Sequence, residues 1–73
     1  MKYSTHNLNE LSFPLQFTIK FMVEYRPGGK LEDSASMFYS SDPEDTVDEI
    51  VKSKGWDKRP GYTPADVWVD GGF

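Results

Sequence analysis

An α+β fold is predicted: a small antiparallel sheet of about three strands with one helix packed on one face, in the order β-β-α-β, after a flexible N-terminal arm. Three observations predict it. Leu15, Phe17, Ile19, Phe21, Val23 and Tyr25 alternate with Gln16, Thr18, Lys20, Met22, Glu24 and Arg26, the period of a half-buried strand. Val47, Ile50 and Val51 recur at helical spacing behind an acidic, proline-containing start and ahead of a glycine. Ala65, Val67 and Val69 then alternate with Asp66, Trp68 and Asp70 in a short final strand.

In chain order, residues 1–12 come first. They hold Asn, Ser, Thr, His and Glu around Leu8 and Leu11 without strand or helix periodicity, so they are expected to form a flexible arm ahead of a single domain spanning 13–73. The first strand covers Leu15 to Arg26. Pro27-Gly28-Gly29-Lys30 supplies a turn, since proline presets one backbone angle and glycine tolerates positive φ. A second strand, Leu31 to Ser40, places Leu31, Ala35, Met37 and Tyr39 on one face; Asp33 interrupts it and is expected beside the turn or at a bulge.

Asp42-Pro43-Glu44-Asp45 reads as a helix start, with Asp42 as N-cap, Pro43 at the first helical position and acids near the positive end of the helix dipole. Lys52 and Lys54 complement the other end. Gly55 is placed to end the helix in the left-handed conformation, with Trp56 closing against Val51. Asp57 to Pro64 carries two prolines, one glycine and three charges, and reads as a loop anchored by Tyr62. Thr63-Pro64-Ala65-Asp66 is also compatible with a capped helical turn, whereas Val67-Trp68-Val69 favours a strand. Gly71-Gly72 reads as the end of that strand.

Composition limits the function. A chain of 73 residues hides only about 60% of its unfolded surface, which leaves little room for a deep internal pocket. Eleven aromatic side chains supply the bulk of its burial, and the absence of cysteine removes disulfides and cysteine-ligated metals. A net charge of −4 opposes general binding of nucleic acid, which relies on cations displacing counterions. No long apolar run points to a membrane span or an export signal, so an intracellular setting is expected. The charge is segregated: Glu32 to Glu49 contains seven acids and no base, while Lys52, Lys54, Lys58 and Arg59 fall within the next stretch.

No cofactor, metal or catalytic residue is indicated. His6, the single histidine, lies in the arm, where a contact to a partner fits better than general-base chemistry. Asp42, Glu44, Asp45, Asp48 and Glu49 match no calcium-loop spacing and read chiefly as capping and a solvated helix face. Partner-binding residues are expected in the arm, Tyr3, His6, Leu8, Leu11 and Phe13, which would order on binding, with Lys58 and Arg59 adding a second, electrostatic contact. A dispensable tail is the other reading of the arm. The long alternating strand also offers an edge to which a partner peptide can add.

The segments FTIKFMVEYRPGGK, DPEDTVDEIVKSKGW and PADVWVDGGF, behind a polar arm, resemble the small phage-encoded regulators that bind host bacterial RNA polymerase. The resemblance implies a non-enzymatic protein acting in the cytoplasm of the host bacterial cell; a monomer is expected. It would bind RNA polymerase, prevent productive promoter engagement by the sigma-containing enzyme and promote terminator read-through, with a further contact near the exiting RNA. Two other readings stay open. One is an acidic decoy occupying a nucleic-acid site on a nuclease or restriction enzyme; the other is a weak single-stranded nucleic-acid binder using Lys52 to Arg59 beside Trp56 and Tyr62.

Overall fold

The computed structural model describes residues 2–6 and 19–71. Four strands and one helix occur among them: β1 (Ser4–His6), β2 (Ile19–Tyr25), β3 (Asp33–Ser40), α1 (Pro43–Lys54) and β4 (Val67–Gly71). Single 3-10 turns occupy Pro27–Gly29, Trp56–Lys58 and Pro64–Asp66. The sheet runs β1-β4-β2-β3, with β2 antiparallel to β3 and β4 and β1 parallel to β4. The α+β class and the helix on one face agree with the sequence pattern; the sheet gains one strand and becomes mixed.

That extra strand corrects the arm. Residues Ser4, Thr5 and His6 pair with Trp68, Val69 and Asp70, and Tyr3 is only 6% exposed. Nothing periodic announces a strand this short, because its backbone groups are satisfied only by an edge contributed from the far end of the chain. Tyr3 fixes it there: its ring joins the core, its hydroxyl donates to the Asp48 carboxylate, and Lys2 Nζ sits 3.1 Å from the same group. Ser4 Oγ adds a 2.7 Å bond to the Ala65 carbonyl. Residues 7–12, and Leu15 to Thr18 of the expected first strand, lie outside the described residues.

In β2 the alternation holds. Phe21 and Val23 are fully buried and Tyr25 nearly so; with Val67 and Val69 of the neighbouring β4 they form one core with Val47, Ile50 and Val51 of α1. The turn after β2 uses both glycines at positive φ, 67° and 86°.

β3 opens at Asp33, beside the turn as expected and paired with Tyr25, close to the expected regular stretch from about Ser34 to Ser40; the bulge falls elsewhere, between the pairs Met22–Met37 and Val23–Ala35, leaving Ser36 as the extra residue. One inserted residue shifts the remainder of the strand to the opposite face, so Ala35 and Phe38 both turn toward the helix while Leu31 and Tyr39 are 54% and 67% exposed. Ala35, buried, therefore does not share a face with exposed Leu31 and Tyr39 as expected. Asp33 accepts the Trp56 indole N–H at 3.0 Å and the Ser34 backbone N–H at 2.9 Å.

The helix forms where its caps place it. Asp42 accepts the Asp45 backbone N–H at 3.2 Å, Pro43 opens the first turn, and Gly55 ends the helix at φ 74°, donating to the Val51 and Lys52 carbonyls. Trp56 then enters the core beside Val51, fully buried and stacked on Tyr25 at 5.3 Å. Both readings of the last segment are partly realised: Thr63 caps the turn Pro64–Asp66, and the strand begins at Val67. The strand ends at Gly71 as expected, and Gly71 is itself buried. A Cβ there would lie 2.6 Å from the Phe21 Cβ and 2.7 Å from the Lys20 carbonyl oxygen, so the close approach of β4 to β2 requires glycine.

Candidate protein-docking surface

The edge of the described sheet at β3 and the helix beside it form a concave surface. β3 pairs with β2 on one side and with no described strand on the other. Helix α1 runs alongside it in the opposite sense and is tied to it at both ends. At one end the Asp42 N–H and the Thr46 hydroxyl donate to Ser40 Oγ at 2.9 and 2.8 Å; at the other, Trp56 reaches Asp33. Between these ties the small side chains of Ala35, Thr46 and Ser53 leave a groove of about 330 Å³, floored by Phe38 and Ile50 and bordered by Glu49 and Lys54. Its lining is mostly apolar.

The groove has electrical polarity. Asp45 precedes Glu49 by one helical turn, and Asp42 caps the same end, so three carboxylates gather where β3 finishes. Crowding shows in Asp45, whose carboxyl is raised first by the charge of Asp42 and further by Asp48 and Glu44. At the other end Lys54 acts on Asp33, whose carboxyl is lowered chiefly by the Trp56 hydrogen bond, with Ser34 and Lys54 assisting against partial burial.

The remaining acids are partly consumed by structure. Asp42 is a cap, and Asp48 holds Tyr3 and Lys2, which keep its carboxyl below the usual range, the Tyr3 hydrogen bond first. Burial, then Asp48, pushes the Tyr3 hydroxyl well above the usual phenol range. This leaves Glu44, Asp45 and Glu49 exposed on the helix. That is a small field for imitating a polynucleotide. Beside the Tyr3–Asp48 contact lies a second cleft of about 200 Å³, bordered by Lys2, Lys52, Asp57 and Tyr62. Burial raises the Tyr62 hydroxyl too.

The expected partner residues separate. Tyr3 is a core residue, so it cannot serve as an exposed arm contact. His6 packs face to face with Trp68 at 4.3 Å, and the Arg26 guanidinium lies 4.9 Å from the same indole while pairing with Glu24 at 3.3 Å. This stack sits on the sheet face opposite the helix, where Trp68 and Glu24 are register partners. Its signal in the sequence is the outward phase of two alternating strands, legible only once their pairing is known. The His6 Nε2 atom is buried and finds no hydrogen-bond partner among the described residues. Arg59 and Lys58 are both exposed, but Arg59 is paired with Glu32 and laid 5.4 Å from the Tyr25 ring. Leu8, Leu11 and Phe13 lie outside the described residues. The groove residues Ala35, Phe38, Thr46, Glu49 and Ile50 carry no sequence signal of a binding surface, because the bulge that turns Phe38 toward the helix leaves no mark on the apolar pattern.

Among the described residues, no helix is long and apolar enough to cross a membrane, and no group of His, Asp and Glu is placed to hold a metal ion. Compared with protein-family models, curated proteins and solved structures, the chain matches none.

Proposed function

We propose that this chain is a non-enzymatic regulator that binds bacterial RNA polymerase, lowers promoter-dependent initiation and favours read-through of terminators. The observation that carries the reading is the separation of charge along one helix and the turn after it. Glu44, Asp45 and Glu49 occupy the first turns of α1, Lys52 and Lys54 its last turn and Lys58 the 3-10 turn that follows, on a scaffold whose core is closed by Trp56, Phe21 and the valines. Such a dipolar surface orients a small protein against a large, charge-patterned partner and accelerates the encounter. The resemblance of its segments to phage regulators of polymerase supports the choice of partner.

The test is direct. Fluorescently labelled chain is titrated with purified bacterial core polymerase and with the sigma-containing enzyme, and the effect on transcription from a promoter template and across an intrinsic terminator is measured. Saturable binding, fewer promoter transcripts and more read-through are expected. Because Arg59 is held by Glu32 and Tyr25, Lys58→Ala is expected to reduce the salt dependence of association more than Arg59→Ala does. Absence of binding to either form of the enzyme removes the proposal.

A further inference from the structure

We infer that the groove between β3 and α1 receives an extended segment of a partner protein, added as a strand on β3, with apolar side chains entering the groove and a basic residue over Asp42, Asp45 and Glu49. The inference rests on the reading of this chain as a protein-binding module and specifies the chemistry of what it binds.

Three features converge on it. First, alternate residues of an edge strand direct N–H and C=O outward, and strands that must stay unpaired are usually blunted by lysine, proline or a covering element. β3, DSASMFYS, has no lysine, arginine or proline, and no described strand pairs with its outer side; the bulge at Ser36 is its one irregularity, with regular stretches on either side at Asp33–Ala35 and Met37–Ser40. Second, strand addition places every other side chain of the incoming segment on the helix side of the sheet. That is where Ala35, Phe38 and Ile50 leave an apolar space of about 330 Å³, enough to take more than one aliphatic side chain.

Third, charge selects the occupant and its direction. Antiparallel addition, the commoner arrangement, sets the start of the incoming segment beside Ser40 and its end beside Asp33. A cation at the start meets Asp42, Asp45 and Glu49, and relieves the mutual repulsion that crowds Asp45; a cation at the end meets Lys54 beside Asp33, whose charges offset each other. A second copy of this chain would bring Glu32 and Asp33, the acids that begin its own β3, to the carboxylate end of the groove. An extended, basic-first, apolar-alternating segment from another protein suits the surface better.

The probe is a synthetic peptide with blocked ends, Lys-Lys-Val-Thr-Val-Thr-Val, titrated into the isotope-labelled full chain and followed by NMR. Companion probes carry the two lysines at the opposite end, or carry N-methyl groups on alternate amides. Expected are saturable shifts confined to β3 and the facing residues of α1, with slowed amide exchange along β3. The basic-first order should bind roughly three- to fivefold tighter than the reversed order, as expected for exposed charge pairs. The N-methylated probe should not bind. The double variant Asp45→Lys, Glu49→Lys changes only exposed positions; in it the preference between the two orders should reverse.

Shifts centred elsewhere, equal binding of the N-methylated probe, or indifference to lysine position each overturn the inference. So does concentration-dependent dimerisation through the same resonances, which would make a second copy the occupant. The two proposals fail separately. A chain that takes the probe as stated but ignores polymerase keeps the groove and loses the polymerase. A chain that binds polymerase while failing these probe criteria keeps the polymerase and loses the groove.

Discussion

Removing one oxygen, in Tyr3→Phe, isolates the contact that holds the first strand. The ring stays in the core, so packing is conserved, and what is lost is the hydrogen bond to Asp48, whose side chain is 33% exposed. A hydrogen bond to a charged acceptor contributes roughly 1.5–3 kcal/mol when shielded; partial exposure reduces this to about 1 kcal/mol. For a domain of this size that is a fall of about 4–8 °C in melting temperature. The pH dependence carries the signature. The Asp48 carboxyl is lowered in the folded state, so its contribution is present above the unfolded value of about 3.9 and is lost as pH falls through the folded one. The Tyr3 hydroxyl is raised, so its contribution is complete below the unfolded value of about 10 and is lost as pH rises toward the folded one. The difference between wild type and variant, followed by circular dichroism melting, should therefore form a plateau from about pH 4 to about pH 10 and shrink on both sides. Equal melting temperatures across that interval would refute the docking of Tyr3 on α1.

Other perturbations read other parts of the fold. Gly71→Ala should cost about 1–3 kcal/mol in urea unfolding, since its Cβ meets the Phe21 Cβ at 2.6 Å and a backbone carbonyl at 2.7 Å; an unchanged midpoint means β2 and β4 lie further apart. Asp42→Ala should cost about 1 kcal/mol through loss of the cap, measured the same way, and a neutral result denies the Asp45 hydrogen bond. Gly55→Ala meets no crowding, so its penalty of about 1 kcal/mol is purely that of the left-handed backbone; if stability rises instead, the helix does not end there as described. Deleting residues 1–6 should lower the melting temperature by more than Tyr3→Phe does, because it exposes one side of β4 as well; retention of full stability would mean that β1 adds nothing to the sheet.

The features legible in the sequence share a trait: the signal and its cause lie within a few residues of each other. The phase of Phe21, Val23 and Tyr25 is local, and so are Asp42 with Asp45 and Gly55 with Val51. The illegible features depend on distant partners. Ser4 to His6 become a strand only because Val67 to Gly71 lend them an edge, and Tyr3 becomes core only because Asp48 and the α1 face receive it. The bulge at Ser36 is invisible for a related reason: Ala35 and Phe38, three apart, break strand phase and share a face of the strand only once β2 dictates the register. The same offset hides the groove. His6 and Arg59, which read as free contacts in the sequence, are claimed by Trp68 and by Tyr25 with Glu32, aromatic and ionic neighbours that spacing alone does not disclose.

The parallel union of β1 with β4 also orders events at the ribosome. Tyr3 to His6 emerge early, yet the strand they need is made about sixty residues later, so the growing chain carries an unseated tyrosine until Val67 to Gly71 have cleared the exit tunnel. Until then the sheet lacks its last two ribbons. Maturation of this protein is consequently a joining of its two distant strands, completed after translation of β4 rather than along the way.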